Sequence, residues 1–346
     1  MKDRKATTSF FVKQDPPPDG SGGVGGWARS PKIASTSGVA GWSSADALEA
    51  QAAAFDRDGY IVIPGALDEE HVDRLIALLK RVRPTLEASP SRKRVDIADG
   101  GRALPSNGLD VRQLVTTRDP DAASGDAARA LFPFLHLLEH PSTFPIALRA
   151  LGHPSISLMT SHLIVAPPTA EGTAQIGWHT DGGMPRFAGR DGVRAFTQLK
   201  VGFFLVDLPR DNMGGLAVVP GSHKLPAINH LSASETPSLD GAVQLKLKRG
   251  DAILFQQGLW HAACPNTDAA QQDRIAIYFG YGARQLRPMD FVPELLTQEF
   301  VAALSPTQRQ LMGFSQTPLS YWVPQPADVP LGPIYLEHFG VPRHRE

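Results

Sequence analysis

The apolar positions in the first part of the chain recur mainly at helical spacing. A first helix is predicted to end at Gly59, and a short strand, YIVIP, follows it. A second helix is predicted to begin at an N-cap, Asp68, and Pro84 is expected to end it. Its apolar stripe consists of Val72, Leu75, Ile76 and Leu79. A third helical region covers roughly 126–151 and is interrupted by prolines.

Short β-type runs dominate the sequence after these helices. Glycine, proline, asparagine and aspartate separate the runs, which read SISLMTSHLIVAPP, QIGWHTD, FTQLKVGFFLVDL, GLAVVPGSH, AVQLKLKRGDAILF and RIAIYFGYGAR. Many short strands in succession indicate an antiparallel barrel or jelly roll. We therefore predict a mainly β fold with flanking helices: a double-stranded β-helix (a jelly-roll, cupin-like barrel) with N-terminal supporting helices. A last helical stretch over 290–314 precedes a proline-rich end.

Composition divides the chain near residue 43. Residues 1–43 contain DPPPDGSGGVGG and scattered serine and threonine, so they have too little apolar surface to offset chain entropy. We predict a disordered tail there. Residues 44–346 contain no internal repeat, which favours a single domain with helical supports and a C-terminal helical and proline-rich extension. The single cysteine, Cys264, indicates a reducing compartment, and a cytoplasmic location is expected.

The charge balance restricts the class of partner. The chain has 34 lysines and arginines against 35 acidic residues, whereas nucleic-acid binders usually carry a basic excess. No apolar run is long enough to cross a bilayer, and the N-terminus has no apolar segment typical of a signal peptide. We therefore expect a small-molecule substrate, with neither nucleic acid nor membrane as a partner. The oligomeric state stays open.

The most informative motif is GWHTDGG at residues 177–183. Alternate residues of an extended strand face the same side, so His179 and Asp181 would point the same way. Such a pair can bind a metal, act as an acid and a base, or simply hydrogen-bond to each other. The motif alone does not separate these alternatives.

Two later residues favour the metal. Two histidines and one carboxylate, with coordination positions left open, are typical of non-haem iron oxygenases. His261, in GDAILFQQGLWHAACPNT, is a candidate for the second histidine because a turn and a strand precede it. Arg274 lies within the apolar strand DRIAIYF. Burying an arginine is costly unless it meets an anion, and a carboxylate matches its planar guanidinium.

The order of these motifs resembles the phytanoyl-CoA dioxygenase family, whose members are iron(II)- and 2-oxoglutarate-dependent oxygenases. H-x-D is followed by GGLAVVPGSHK, by GDAILFQQGLWH and by an arginine, and FDRDGYIVIPGALDEEHVDRL resembles the start of the family's domain. The resemblance runs from about residue 50 to 283. It implies that His179, Asp181 and His261 bind Fe(II). It also implies that Arg274 pairs with the distal carboxylate of the cosubstrate, 2-oxoglutarate.

The same resemblance suggests further contacts. His162 falls where the family often places a cosubstrate contact, and Gln113 (or its neighbour Arg112) is another candidate. Lys200 lies in a strand that lines the family's pocket, although a register shift of one residue would turn it outward. The glycine-rich stretch 182–196 contains Arg186 and Arg190. These arginines are candidate contacts for an anionic substrate, and the alternative is that the stretch is a solvated loop.

The expected reaction follows from the resemblance. 2-Oxoglutarate and O₂ would yield succinate, CO₂ and an oxidant that removes a substrate hydrogen. Related halogenases have a small residue in place of the aspartate, and this chain has Asp181, which favours hydroxylation or another outcome of hydrogen abstraction. Desaturation, ring closure and epoxidation use the same ligands.

Two other classes remain open from sequence. A cupin-like metal isomerase or zinc hydrolase could use the same ligands, but neither needs an inward arginine at position 274. A non-catalytic binding protein could retain the fold. In HLLEH, His136 and His140 have the i, i+4 spacing of a metal-binding pair, but the sequence shows no third ligand near them.

Overall fold

The computed structural model describes residues 42–89, 108–123, 128–169, 177–181, 196–225, 240–267, 272–288, 290, 292–314 and 326–340. The helices are α1 Ala45–Asp58, α2 Glu69–Glu87, α3 Ala128–Leu131, α4 Phe144–Leu151, α5 Gln298–Ala303, α6 Pro306–Leu311 and α7 Leu331–Phe339. The strands are β1 Tyr60–Ile63, β2 Leu109–Arg112, β3 Ile156–Ala166, β4 Gln198–Phe204, β5 Leu216–Val218, β6 Val243–Gln244, β7 Ala252–Gln256, β8 His261–Ala263 and β9 Arg274–Ala283. No helix in these ranges has the length and apolar character needed to cross a bilayer.

The strands form two antiparallel sheets. The larger sheet has the order β1-β7-β4-β9-β3-β2, and the smaller one has the order β6-β5-β8. Apolar side chains of both sheets form one buried cluster, which includes Phe204, Tyr278 and Val218. This shared interior confirms the predicted jelly roll.

Alternation along the strands separates that interior from the helical layer. Phe204 of β4 belongs to the cluster between the sheets, whereas its neighbour Phe203 packs with α1, α2 and α4 on the outer face. The helices lie on one face of the larger sheet because their apolar stripes meet these outward residues. A side chain on β3, β4 or β9 therefore faces either the helices or the barrel interior.

Three boundaries near the ends of predicted helices can be compared directly. Asp68 caps α2 by accepting a hydrogen bond from the His71 amide, and Gly59 ends α1 in a left-handed conformation, as predicted. The prediction that Pro84 ends α2 was wrong, because the helix continues to Glu87. Pro84 is exposed, so the carbonyl that lacks its amide partner can bond to water, and burial of Leu86 favours the additional turn.

The C-terminal helical stretch is also more divided than the apolar pattern indicates. A short 3-10 helix, Pro293–Leu295, precedes α5, and Ser305 begins α6 with a capping box. The proline-rich end contains α7, which the sequence did not predict. Gln310 of α6 fixes these pieces to the barrel. Its amide donates to the carbonyls of Pro154 and Ile156 at 2.8 and 3.2 Å, and its oxygen accepts from the Leu331 amide at 3.0 Å.

Replacement of Gln310 by leucine should therefore destabilise the fold. The volume is nearly preserved, but the hydrogen bonds to three main-chain groups are lost in a site where Gln310 is 1% exposed. We expect a loss of at least about 2 kcal/mol in the free energy of unfolding, measured by urea denaturation. Gln298→Leu, at an exposed position of α5, is the control and should change little. Equal urea midpoints for the two variants would contradict the role assigned to Gln310.

Candidate metal centre

Main-chain pairing brings two distant histidines together. The amide of His179 donates to the carbonyl of His261, and the amide of His261 donates back, both at 3.0 Å. The Asp181 amide donates to the carbonyl of Gln257 at 2.8 Å, which keeps the chain extended beyond His179. As a result, one ligand atom from each of His179, Asp181 and His261 lies within 4.8 Å of the others.

The two imidazoles have the same hydrogen-bonding pattern. Nδ1 of His179 lies 2.9 Å from the Gly177 carbonyl, and Nδ1 of His261 lies 2.9 Å from the Leu259 carbonyl. A carbonyl oxygen can only accept, so Nδ1 carries the proton in both rings and Nε2 has its lone pair available. Metal-bound histidines in proteins are usually held in this way. Burial lowers the pKa of His261 to about 3, with His179 as the next cause, which keeps the His261 ring neutral.

Asp181 is held by a lysine from the opposite sheet. Nζ of Lys200 lies 2.9 Å from both carboxylate oxygens, and the Lys200 and Asp181 side chains are 15% and 10% exposed. Burial alone would raise the pKa of Asp181, but the attraction of Lys200 and the two site histidines outweighs burial, and the pKa lies well below its usual range. Asp181 is therefore ionised at neutral pH, as a metal ligand must be.

The donor set fits a divalent metal ion. Two neutral imidazoles and one carboxylate on one side of the site form the facial arrangement of non-haem iron centres. Within the described ranges, this is the one group of three or more histidine, cysteine or acidic side chains whose ligand atoms already gather so closely. Zinc accepts the same donors, so the three residues alone do not select the metal.

Arg274 places a cation inside the barrel. It is 4% exposed at the start of β9, and neither its Nε nor its Nη1 has a hydrogen-bond partner among the residues that the structure describes. Gly214 makes room for it: with φ +79°, a Cβ there would lie 2.9 Å from the Arg274 Cβ. A buried guanidinium with unpaired donors is costly unless an anion joins it. The carboxylate of a cosubstrate fits this requirement.

Tyr278 is a site residue that sequence reasoning missed. It lies four positions after Arg274 on β9, and it joins Phe204 in the cluster between the sheets. Burial raises its pKa, and the charges of Arg274 and Asp181 both act on it, so the arginine and one of the metal ligands are near enough to influence it. Gly202 accommodates its ring, because a Cβ there would approach the ring carbon Cε1 to 2.6 Å. Residues separated by an even number of positions on a strand share a face, so the spacing of four from Arg274 is the signal that could have identified Tyr278.

The structure places the other predicted contacts around this interior. His162 is buried beside Tyr278, with ring centroids 5.1 Å apart, and its Nδ1 lies 3.6 Å from the Asp110 carboxylate. Burial lowers the pKa of His162 to about 4 against the opposing effect of Asp110, so its ring is neutral. Lys200 faces inward, toward Asp181 and not toward solvent. Arg112 pairs with Asp110 at 3.2 Å and lies 3.6 Å from Asp290.

Gln113 contacts the C-terminal segment. Its side-chain oxygen accepts a hydrogen bond from the Val292 amide at 2.7 Å, and among the described residues its hydrogen bonds do not involve the three ligands. Arg186 and Arg190 lie outside the described residues.

The fold and the donor set together define a jelly-roll metalloprotein with a centre of the non-haem iron type. The family model for phytanoyl-CoA dioxygenase (PhyH) matches residues 55–276, and the chain belongs to this family. Membership confirms the resemblance found in the sequence. It also confirms that the protein is a dioxygenase of the class that uses Fe(II), 2-oxoglutarate and O₂.

Individual relatives are distant. A stretch of 103 residues is 27% identical to the multifunctional dioxygenase ausE of Emericella nidulans and covers 29% of this chain and 34% of that protein, so the match spans about a third of the relative. The non-heme alpha ketoglutarate dependent carbocyclase SnoK from nogalamycin biosynthesis has a similar structure, with a TM-score of 0.51 at 20% identity over 77% of this chain and 94% of that chain. The epimerase SnoN, solved with Fe3+, alpha ketoglutarate and nogalamycin RO, gives a TM-score of 0.49 at 23% identity over 73% and 90%. The similarity to SnoK shows a shared fold.

The ion pair between Lys200 and Asp181 predicts a large effect of Lys200→Met on the metal-free protein. Removing the ammonium leaves a buried carboxylate unpaired, which should lower the free energy of unfolding by about 3 kcal/mol at neutral pH. Without the lowering effect of Lys200, burial should raise the pKa of Asp181 in this variant. The deficit relative to the parent should therefore shrink as the pH falls and the carboxylate of the variant takes up a proton.

A double-mutant cycle checks this interpretation. Asp181→Asn combined with Lys200→Met should cost less than the sum of the single changes, because the double variant contains no unpaired charge. Lys246→Met removes a lysine from the exposed pair with Asp211 and should have little effect. Additive losses for Lys200 and Asp181 would contradict the coupling.

Proposed function

We propose that this protein hydroxylates a small organic molecule, coupled to oxidative decarboxylation of 2-oxoglutarate to succinate and CO₂. The observation that carries the proposal is the buried Arg274, whose unpaired donors among the described residues face the same interior as the three metal ligands. A cupin-like isomerase or a zinc hydrolase needs the metal ligands but has no use for this cation. A non-catalytic binding protein would not need to retain all four residues.

Each proposed role follows from the contacts. His179, Asp181 and His261 would hold Fe(II), and Arg274 would hold the distal carboxylate of 2-oxoglutarate. The bound iron, with 2-oxoglutarate and O₂, supplies the oxidant that removes hydrogen from the substrate. The protein's own contribution is to orient the reactants and to exclude water.

Four neighbouring side chains would support these roles. Lys200 orients the Asp181 carboxylate, so that the metal meets it in one fixed position. Tyr278 is close enough to Arg274 and Asp181 to be influenced by both charges, and it can donate its hydroxyl proton to a cosubstrate oxygen because its raised pKa keeps it protonated. His162 is neutral and buried, so it can donate one hydrogen bond to 2-oxoglutarate without adding charge. Gln113 can offer its amide NH₂ group, because its oxygen is engaged by Val292.

The first test measures the coupled reaction directly. Purified protein with Fe(II) and 2-oxoglutarate under anaerobic conditions should develop a weak visible charge-transfer band, and exposure to air should produce succinate. Small-molecule pools should then be screened for a product that requires 2-oxoglutarate and gains one oxygen atom. A product that loses hydrogen without gaining oxygen would instead indicate ring closure or desaturation. If the protein shows no charge-transfer band and forms no succinate, the proposed activity is refuted.

The ligand assignment predicts the outcome of two substitutions. His179→Ala or His261→Ala should abolish iron binding and succinate formation together, because two ligands do not retain the ion. The fold should persist, which circular dichroism can check. His153→Ala, at a half-buried histidine before β3, is the matched control and should retain both properties. Full succinate formation by either ligand variant would exclude that residue as a ligand.

Arg274 should control the cosubstrate and not the metal. Loss of a charged partner from a buried pair commonly costs about 2–5 kcal/mol, so Arg274→Ala should raise the KM for 2-oxoglutarate by about 30-fold or more. The affinity for iron should change far less. Arg249→Ala, which breaks a surface pair with Asp73, is the control. An unchanged KM for 2-oxoglutarate in Arg274→Ala would show that another basic residue, such as Lys200, binds the distal carboxylate.

A further inference from the structure

Three histidines meet in the helical layer, away from the iron centre. His71 belongs to the first turn of α2, His136 to the 3-10 helix Pro133–Glu139, and His140 caps the end of that helix. The Nε2 atoms of His71 and His136 are 2.6 Å apart. Ring centroids are 4.7 Å apart for His71 and His136 and 5.5 Å apart for His71 and His140. In the sequence, His136 and His140 have the spacing of a metal-binding pair but no third ligand near them, and the fold brings His71 beside them.

Hydrogen bonds orient two of these rings as they do at the iron centre. Nδ1 of His136 contacts the carbonyl of Pro133, so this nitrogen carries the proton. The Ser142 hydroxyl donates to the Ala66 carbonyl at 3.0 Å and therefore accepts from Nδ1 of His140 at 2.7 Å. The Ser142 amide lies 3.4 Å from the same nitrogen, a contact too long to compete. In both rings the lone pair is thus on Nε2. The Nε2 of His136 accepts a hydrogen bond from Nε2 of His71 at 2.6 Å, and a metal ion would take the place of that proton between the two rings.

The surroundings keep the rings neutral and favour a cation. Burial lowers the pKa of His71 and lowers that of His140 to about 4, so both retain their lone pairs at neutral pH. The Asp68 carboxylate acts on both rings with a favourable negative charge. Arg74 opposes this at His71, but its guanidinium is paired with Glu70 at 2.5 Å. All three histidines are half-buried, so an ion can reach them from solvent.

We propose that His71, His136 and His140 bind a divalent transition-metal ion of the zinc type. Three imidazoles with one position left for water are a known zinc ligand set, and imidazole suits zinc, copper and nickel. Two ligands on a tetrahedral zinc lie about 3.3 Å apart, so the Nε2 atoms of His71 and His136 need to separate by less than about 1 Å, and the His140 ring needs to turn toward them. Rotation of these partly exposed rings supplies that movement.

The bound ion would act as a structural cross-link. It would join the start of α2 to the 3-10 helix, and the His140 ring contacts Phe203 of β4 at a centroid distance of 5.8 Å. The site would therefore fix the helical layer to the larger sheet. No step of the oxygenase reaction depends on it.

Zinc stoichiometry separates this site from the iron centre. Full-length protein, freed of metal and titrated with Zn²⁺, should bind two equivalents, one at each centre. His136→Gln and, independently, His71→Ala should each bind one equivalent, and so should the variant with both His179→Ala and His261→Ala. The triple variant His136→Gln, His179→Ala and His261→Ala should bind no Zn²⁺. His153→Ala, which removes a histidine outside both groups, should still bind two equivalents.

A stability measurement gives a second readout. In the background with His179→Ala and His261→Ala, saturating Zn²⁺ should raise the melting temperature, and His136→Gln should remove the increase. Circular dichroism shows whether each variant folds. If only one of His71→Ala and His136→Gln folds, that variant alone is enough for the test. If the background variant binds no zinc, the proposal is overturned. If His71→Ala and His136→Gln both still bind as many equivalents of zinc as the parent protein, it is overturned as well.

Discussion

Two hydrogen bonds between the main chains of His179 and His261 are the constraint on which the site depends. They join a short extended segment to the start of β8, and they set which side chains face the barrel interior. Because alternate residues share a face, this register turns His179 and Asp181 to the same side, toward the buried His261, and leaves His179 exposed. A slip of one residue would turn both outward and remove two of the three ligands. The ring of Phe255, 4.6 Å from that of His261, then packs against the imidazole from the larger sheet.

The interior is arranged around charge. Lys200 and Asp181 cancel each other, and burial keeps His162 and His261 neutral, so Arg274 and a divalent metal would leave the site strongly positive. A buried positive excess is unstable in a low dielectric unless an anion enters. A dicarboxylate cosubstrate supplies two negative charges, one toward the metal and one toward the arginine. The same residues that position the cosubstrate therefore also make its binding favourable.

The sequence was informative where local patterns control the structure. The short β-type runs predicted the strands β3, β4 and β9, and the HTD motif with His261 predicted the cluster of ligands. Tertiary contacts were beyond its reach. The register of β4, which turns Lys200 toward Asp181, depends on pairing with β7 and β9, and local sequence does not encode it. Packing also overrode local propensity at Pro84, where burial of Leu86 extends α2 by another turn.

The two histidine groups show how similar ligands acquire different roles from their surroundings. In each, a main-chain carbonyl or a hydroxyl holds Nδ1 of two rings and leaves their lone pairs on Nε2. At the iron centre a carboxylate completes one face, and the nearby Arg274 can bind a second carboxylate, so open coordination positions can serve a reaction. The group around His71 lies between two helices and has no such arginine among its described contacts. An ion held there would join the elements that bind it, and the oxygenase reaction would remain in the barrel.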